Sequence, residues 1–267
     1  MWHLTRLTLD SKYKGAGMFD YEMEMVKGGA KASDAVVTIS IALKELVLSW
    51  GIEEEKVFLI PNAVDTKHFK VQKPSQRLID RYHLEGKVVV GYIGSVTGYE
   101  GLEELVLAVK ELVNDGLDIV LMIVGDGREK LKLEKMSKTN KIIFTGRVPF
   151  DEVNAYYSLF DITPFPRNDY EVCQYVPPLK ILEAMAMKKA IIVSDVAPLL
   201  EIIEDGVNGL VCKADSVESL KEVISKLYCD KNRREELSEE AYKWVLENRT
   251  WDKMSQKYIE LYNSFKG

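Results

Sequence analysis

Three charged residues in the second half of the chain have the types and spacing of a polyanion site. Arg167 stands near the start of an irregular stretch at 166–178, Lys180 follows that stretch, and Glu183 comes three residues later. In a helix, positions i and i+3 share a face, so Lys180 and Glu183 project together. A guanidinium and an ammonium suit a diphosphate, because both offer several charged N–H donors. A carboxylate suits paired hydroxyls such as those of a ribose. A cation in the first turn of a helix opposes the helix dipole, and a locally unfavourable charge often marks a functional position. The competing reading is a solvated Lys–Glu pair worth well under ~1 kcal/mol.

Two glycine turns offer places where a ligand could approach backbone. Gly94-Ser95 through Gly98 and Gly101 follows the apolar run 88–93, and Gly125-Asp126-Gly127 follows the run 119–124. Glycine permits close approach, and a helix beginning near 100 presents free N–H groups. A tight strand-to-helix turn with Glu100 and Glu103 at the helix start explains the first segment equally well. A short Gly-Asp-Gly turn needs no ligand at all. Gly146-Arg147-Val148-Pro149 follows a third run, where Arg147 taken alone reads as a surface arginine. Ser194-Asp195 reads as a strand end and cap, and Asp205–Gly209 as a glycine-rich turn. No Asp-x-Asp and no Gly-x-Ser-x-Gly occurs, so neither a metal held by the first motif nor a serine-hydrolase elbow is expected.

These residues need a scaffold, and the hydrophobic pattern describes one. Short Val/Ile-rich runs alternate with longer amphipathic stretches. Strands are predicted at 35–39, 56–60, 88–93, 119–124, 141–145, 161–165, 190–194 and 210–212. Helices are predicted at 40–50, 100–114, 127–138, 150–159, 178–188, 215–228, 231–247 and 251–264. Alternation of this kind predicts an α/β fold, a doubly wound Rossmann-like parallel sheet with flanking helices. Every candidate turn then lies at a strand's carboxyl end. Pro61 to Asp65 is turn chemistry, and the polar stretch 62–86 reads as a linker. The segment 87–230 carries a complete βα series, whereas residues 1–61 supply only two strands, too few for a stable sheet domain.

Composition excludes several classes. The chain has 267 residues, 46% hydrophobic and 29% charged, which is ordinary for a globular protein. The net charge of −6 gives no global basic field, so no nucleic-acid partner is expected. Cys173, Cys212 and Cys229 form no CxxC pair and read as reduced thiols of a cytoplasmic protein. His3, His68 and His83 suggest no metal site. No apolar run reaches the ~18–20 residues of a membrane helix, and Met1–Arg6 lacks the features of a signal peptide.

As an ordered set, seven segments resemble the family 4 retaining glycosyltransferases of the GT-B fold. They are SDAVVTIS at 33–40 with PNAVD at 61–65, GYIGSVTGYEGLEELVLAV at 91–109, IVGDG at 123–127, IIFTGRVPFDEV at 142–153, PPLKILEAMAMKKAIIVSD at 177–195 and EIIEDGVNGLV at 201–211. The resemblance implies transfer of a sugar, with retention, from a nucleotide-sugar donor to a glycan or lipid-linked acceptor, as in polysaccharide biosynthesis. No metal or other cofactor is implied. Glu183 corresponds to the ribose-binding glutamate, Gly94 and Ser95 to the phosphate contact, and Arg147 and Val148 to the nucleobase wall. Gly125 and Leu179 join the donor-binding set. Arg167 and Lys180 fall in a PR…PLK…E pattern and would neutralise the leaving diphosphate; with Glu183 they form the expected catalytic set.

Three departures accompany the resemblance. Ser95 stands where the family often has arginine, and Glu100 where it often has lysine. Tyr175 occupies the first position of the family's paired-glutamate pattern. The chain is also short of the ~300–400 residues that two Rossmann-like domains need. The expectation is that 1–61 is the remnant of an incomplete acceptor-side domain, that 87–230 binds the donor, and that helices at 231–267 pack back toward the N-terminal part. Trp244, Trp251 and Tyr258 would then expose apolar surface, and a partner chain could supply the acceptor domain. The alternative is a non-catalytic nucleotide-binding or interaction module that pairs with a partner glycosyltransferase. A cytoplasmic location is expected, peripheral on the cytoplasmic membrane face at most, with no strongly basic amphipathic helix to demand it.

Overall fold

The structure, a computed structural model, describes residues 17–265. Met1–Arg6, with His3, lies outside them, as do residues 266–267. The larger unit is a six-stranded, all-parallel sheet. Its strands are β3 (Val88–Ile93), β4 (Ile119–Val124), β5 (Ile142–Gly146), β6 (Ile162–Phe165), β7 (Ala190–Ser194) and β8 (Leu210–Cys212), in the order β5-β4-β3-β6-β7-β8. The chain winds outward from β3 in one direction and then from β6 in the other. The crevice between β3 and β6 is therefore the topological switch point, where ligands of open α/β sheets bind.

The strands read as apolar runs because both faces are covered. All six residues of β4 are buried. In β3, a Cβ on Gly91 would fall 2.1 Å from the Phe160 ring, so glycine is what lets that ring lie on the strand. Helix α4 (Leu102–Asn114) buries Leu102, Leu105, Val106, Ala108, Val109 and Leu112, a 3.6-residue stripe. The remaining helices of this unit are α5 (Lys130–Ser137), α6 (Val153–Tyr157), α7 (Leu179–Ala186), α8 (Ala197–Leu200), α9 (Val217–Cys229) and α10 (Lys231–Asn248).

A smaller unit precedes it. It contains α1 (Gly17–Ala32), β1 (Val36–Thr38), α2 (Ile41–Ser49) and β2 (Val57–Leu59), with β1 and β2 paired in parallel from Val36 opposite Val57. Helix α11 (Trp251–Ser264) returns to it: Met254 and Leu261 pack with Ile60, Ala63 and Phe58. Helix α10 does not return. It packs on α7 and β7, and Trp244 lies partly buried against the main core rather than exposed. Trp251 is exposed, as are Ile259 and Tyr262.

The polar stretch read as a linker contains a helix, α3 (Gln76–Tyr82). Its single buried residue, Leu78, is fully enclosed in the main core, with Phe69 and Leu84 beside it. The two units also meet directly. The Glu201 carboxylate accepts from Ile41 N at 3.0 Å and Ala42 N at 3.4 Å, at the α2 N-terminus. The Ser40 hydroxyl donates to Tyr175 O at 2.6 Å. Among the described residues no helix is long and apolar enough to cross a membrane.

Candidate functional site

Three turns at the carboxyl edge of the sheet are stitched together by backbone. Gly94 N donates to Val124 O at 2.9 Å, Val96 N to Asp126 O at 3.0 Å, and Gly125 N to Gly146 O at 2.9 Å. The packing leaves no room for side chains. A Cβ on Gly125 would lie 1.9 Å from Gly94 O, and one on Gly127 would lie 2.1 Å from Val96 O. With Gly94 N and Val96 N occupied, Ser95 N has no partner among the described residues and remains available to a ligand.

Beside these turns runs an open groove of about 280 Å³, lined by Gly94, Ser95, Gly125, Arg147, Val148 and Val153, among others. Five residues singled out separately in the sequence thus share one surface. Arg147 is exposed along it. Leu179, expected beside the donor, has 47% of its surface exposed and opens α7.

Lys180 leans toward the Gly94 turn beside this groove. A Cβ on Gly94 would come within 2.7 Å of its Nζ. The ammonium donates to the Tyr92 hydroxyl, lies 4.5 Å from the centroid of that ring, and pairs with Glu100 Oε1 at 2.9 Å. Burial, offset in part by Glu100, holds the amine below the ordinary lysine range.

Arg167 stands deeper. Its Nη2 donates to Glu100 Oε1 at 3.1 Å, its Nε to Glu100 Oε2 at 3.4 Å, and its Nη1 to Val176 O at 2.7 Å. Glu100 is 2% exposed. Burial alone would push its carboxyl up, but Lys180 and Arg167 together hold it below the usual range. The sequence reading placed Glu100 at the start of a helix. Instead it ends a short 3₁₀ turn, Gly98–Glu100, and α4 begins only after Gly101, whose φ is 69°. The missed signal was the coincidence of an acid at 100, where the family often has lysine, with two extra cations at 167 and 180.

Glu183 is half-buried one turn along from Lys180. Tyr157 OH donates to its Oε2 at 3.3 Å. Burial holds this carboxyl above its ordinary value, against the pull of Tyr157, Lys180 and His68. Neither Tyr157 nor His68 was anticipated. Tyr157 reads as core from its flanking apolar residues, and His68 is far away in sequence, stacked on Phe150 with ring centroids 4.1 Å apart.

A second cavity of about 410 Å³ lies nearby, with Glu103, Glu104, Glu129, Asp169 and Asp215 on its walls. Like charges repel, so that acidic lining is a poor match for a diphosphate. The first groove, with its glycine backbone and Arg147 and with Lys180 packed behind Gly94, is the better one.

A model of the family described as glycosyl transferases group 1 matches residues 76–244, more than half of the chain. An uncharacterized glycosyltransferase of Methanocaldococcus jannaschii is 27% identical over 258 residues, which cover 95% of this chain and 64% of that protein. A GDP-mannose-dependent alpha-(1-6)-phosphatidylinositol monomannoside mannosyltransferase of Mycolicibacterium smegmatis is 25% identical over 209 residues, 76% of this chain and 55% of its own. The chain therefore spans roughly three-fifths of the length of these relatives. Among solved structures, Anabaena HepE in complex with UDP and glucose superposes with a TM-score of 0.79 at 19% identity, over 90% of this chain and 66% of that one. That likeness establishes the α/β fold as the one seen in GT-B glycosyltransferases.

Proposed function

Because the chain belongs to the glycosyl transferases group 1 family, we propose that it holds the donor site of a nucleotide-sugar glycosyltransferase, of the family 4 type and acting with retention. The observation that carries this reading is the convergence of Gly94, Ser95, Gly125, Arg147 and Val148 on one groove, with the Lys180 ammonium packed against Gly94. The base lies against Arg147 and Val148. The ribose hydroxyls donate to Glu183. The diphosphate crosses the Gly94–Ser95 turn, where Ser95 N and Lys180 receive it. The UDP and GDP-mannose named for the relatives support a nucleoside diphosphate as the ligand class.

The chemistry follows from where charge develops. As the bond from the sugar's anomeric carbon to the diphosphate oxygen breaks, that oxygen gains negative charge. A preorganised ammonium in a partly desolvated site stabilises it more than water does. An acceptor hydroxyl attacking from the leaving-group side forms the new bond with retention and passes its proton to the departing phosphate oxygen. The acceptor, a glycan or lipid-linked sugar, comes from the side of the smaller unit, and a partner chain can complete that side.

Release of nucleoside diphosphate from UDP-, GDP- and ADP-sugars, followed by ³¹P NMR, tests the proposal. Release that disappears in Lys180→Met supports it. Tight binding without release, with or without added glycan acceptors, favours a nucleotide-binding module that pairs with a partner glycosyltransferase. Neither binding nor release by a folded chain contradicts both.

A further inference from the structure

We propose that Glu100 is a positioning residue for the donor site: it holds the Lys180 ammonium against the Gly94 turn, with Arg167 as its buried anchor. This rests on the donor-site reading above. The triad Arg167–Glu100–Lys180 carries a net charge of +1, and the geometry delivers that charge at Lys180. Glu100 Oε1 is shared between Arg167 Nη2 at 3.1 Å and Lys180 Nζ at 2.9 Å, whereas Oε2 accepts from Arg167 Nε at 3.4 Å. The Arg167 side chain is 8% exposed and its third contact is the Val176 carbonyl, so the guanidinium faces the protein. Lys180 is the outermost of the three, with 16% of its side chain exposed.

The backbone is built to keep this order. Gly101 packs so closely on the Arg167 loop that a Cβ there would fall 1.7 Å from Pro166 O. Asn168 N donates to Tyr99 O at 3.2 Å. The Glu100 turn and the Arg167 loop are thus clamped together on both sides of the ion pair. An ammonium in the first turn of α7 is opposed by the helix dipole and by burial. It needs a fixed anion to remain charged there, and Glu100 is that anion. The other groups facing Lys180 are Tyr92 from β3, Arg167 from the β6 loop and Glu183 from α7 itself. Arg167 disfavours the lysine's charge and Glu183 favours it. In this arrangement Arg167 acts through Glu100, and Lys180 touches the phosphate.

The test has two readouts. Affinity for whichever of UDP, GDP and ADP binds the wild type is measured from pH 6 to 9. Separately, the ionisation of Lys180 is followed without nucleotide, by competitive acetylation with acetic anhydride across pH and mass spectrometry. Glu100→Gln is expected to bind at least ten-fold more weakly at pH 9 and far closer to wild type at pH 6, where the amine is reprotonated. In the same variant Lys180 becomes reactive at lower pH. Arg167→Gln, which removes a repelling cation and leaves the Glu100–Lys180 pair, shifts Lys180 reactivity to higher pH. That opposite sign remains testable if Glu100→Gln folds poorly. In a Lys180→Met background, Glu100→Gln is expected to add no further loss. Unchanged Lys180 reactivity in both variants of a chain that binds nucleotide overturns the role of Glu100, as does a full additive loss in the Lys180→Met background. A wild type that binds none of the three nucleotides overturns the donor-site reading and this role with it, whatever the acetylation shows.

Discussion

Replacing Glu183 by glutamine should move binding and stability in opposite directions. The Glu183 carboxylate is half-buried, and among the described residues its one side-chain hydrogen bond is the 3.3 Å contact with Tyr157 OH. That is poor compensation for lost hydration, and burial raises its pKa accordingly. In the proposed donor-bound state the same carboxylate would accept from two ribose hydroxyls. Glutamine keeps one acceptor oxygen and loses the other together with the charge. A hydrogen bond to a charged group contributes about 1.5–3 kcal/mol, so nucleoside diphosphate affinity should fall about 10- to 100-fold. The free protein should gain. A carboxyl whose folded pKa is raised stabilises the fold below its unfolded value and loses that contribution as pH rises through the folded value. Wild type and Glu183→Gln should therefore melt together near pH 4, roughly the unfolded glutamate value, and separate toward neutrality with the variant higher. Each kcal/mol corresponds to roughly 2–4 °C at this size. Scanning fluorimetry from pH 4 to 8 and calorimetric titration at pH 7 measure the two effects. A variant that melts below wild type at pH 7, or that binds nucleotide as tightly, would contradict a ribose-binding role for a strained Glu183 carboxylate.

Three further outcomes follow from the packing. Gly125→Ala, whose Cβ would meet Gly94 O at 1.9 Å, should lower stability by about 1–3 kcal/mol and weaken nucleotide binding; a melting point equal to wild type counts against the stitched turns. Leu78→Ala should cost about 2–5 kcal/mol in urea denaturation, because Leu78 is 0% exposed; a loss below about 1 kcal/mol would show that α3 is peripheral. Glu201→Ala removes the carboxylate from the α2 N-terminus and should cost about 1 kcal/mol. Hydrogen exchange at Ile41 and Ala42 should then quicken while β3 to β7 stay protected, and unchanged exchange would remove Glu201 as the link between the units.

Where burial on both faces dominates, the fold was legible residue by residue. The runs 88–93, 119–124, 190–194 and 210–212 form strands with those bounds, because a parallel sheet covered on both faces favours near-continuous apolar runs. Legibility failed where long-range contacts outweigh local preference. Glu100 is a good first-turn residue by local electrostatics. Ion pairs to residues 67 and 80 positions away instead draw it into the interior, and Gly101 at positive φ delays α4. The helix within the polar stretch 62–86 was missed for the opposite reason. In α3 six of seven residues are not buried, so its pattern is that of a solvated stretch, and one leucine decides its place. At the site, the glycine turns and the Lys180–Glu183 pair were visible from spacing. Tyr157, Tyr92 and His68 were not, since each is an ordinary core or loop residue until the sheet brings it alongside.

A nucleoside diphosphate is expected to occupy the groove lined by Gly94, Ser95, Gly125, Arg147 and Val148, with its phosphates toward Lys180. The most direct test is calorimetric titration of the chain with UDP, GDP and ADP, alongside the matching monophosphates, for wild type and Lys180→Met. Saturable binding of at least one diphosphate is expected, with binding of its monophosphate weaker by about ten-fold or more and that preference lost in the variant. A folded wild type that binds none of the diphosphates, or a Lys180→Met chain that keeps the full preference, would contradict it.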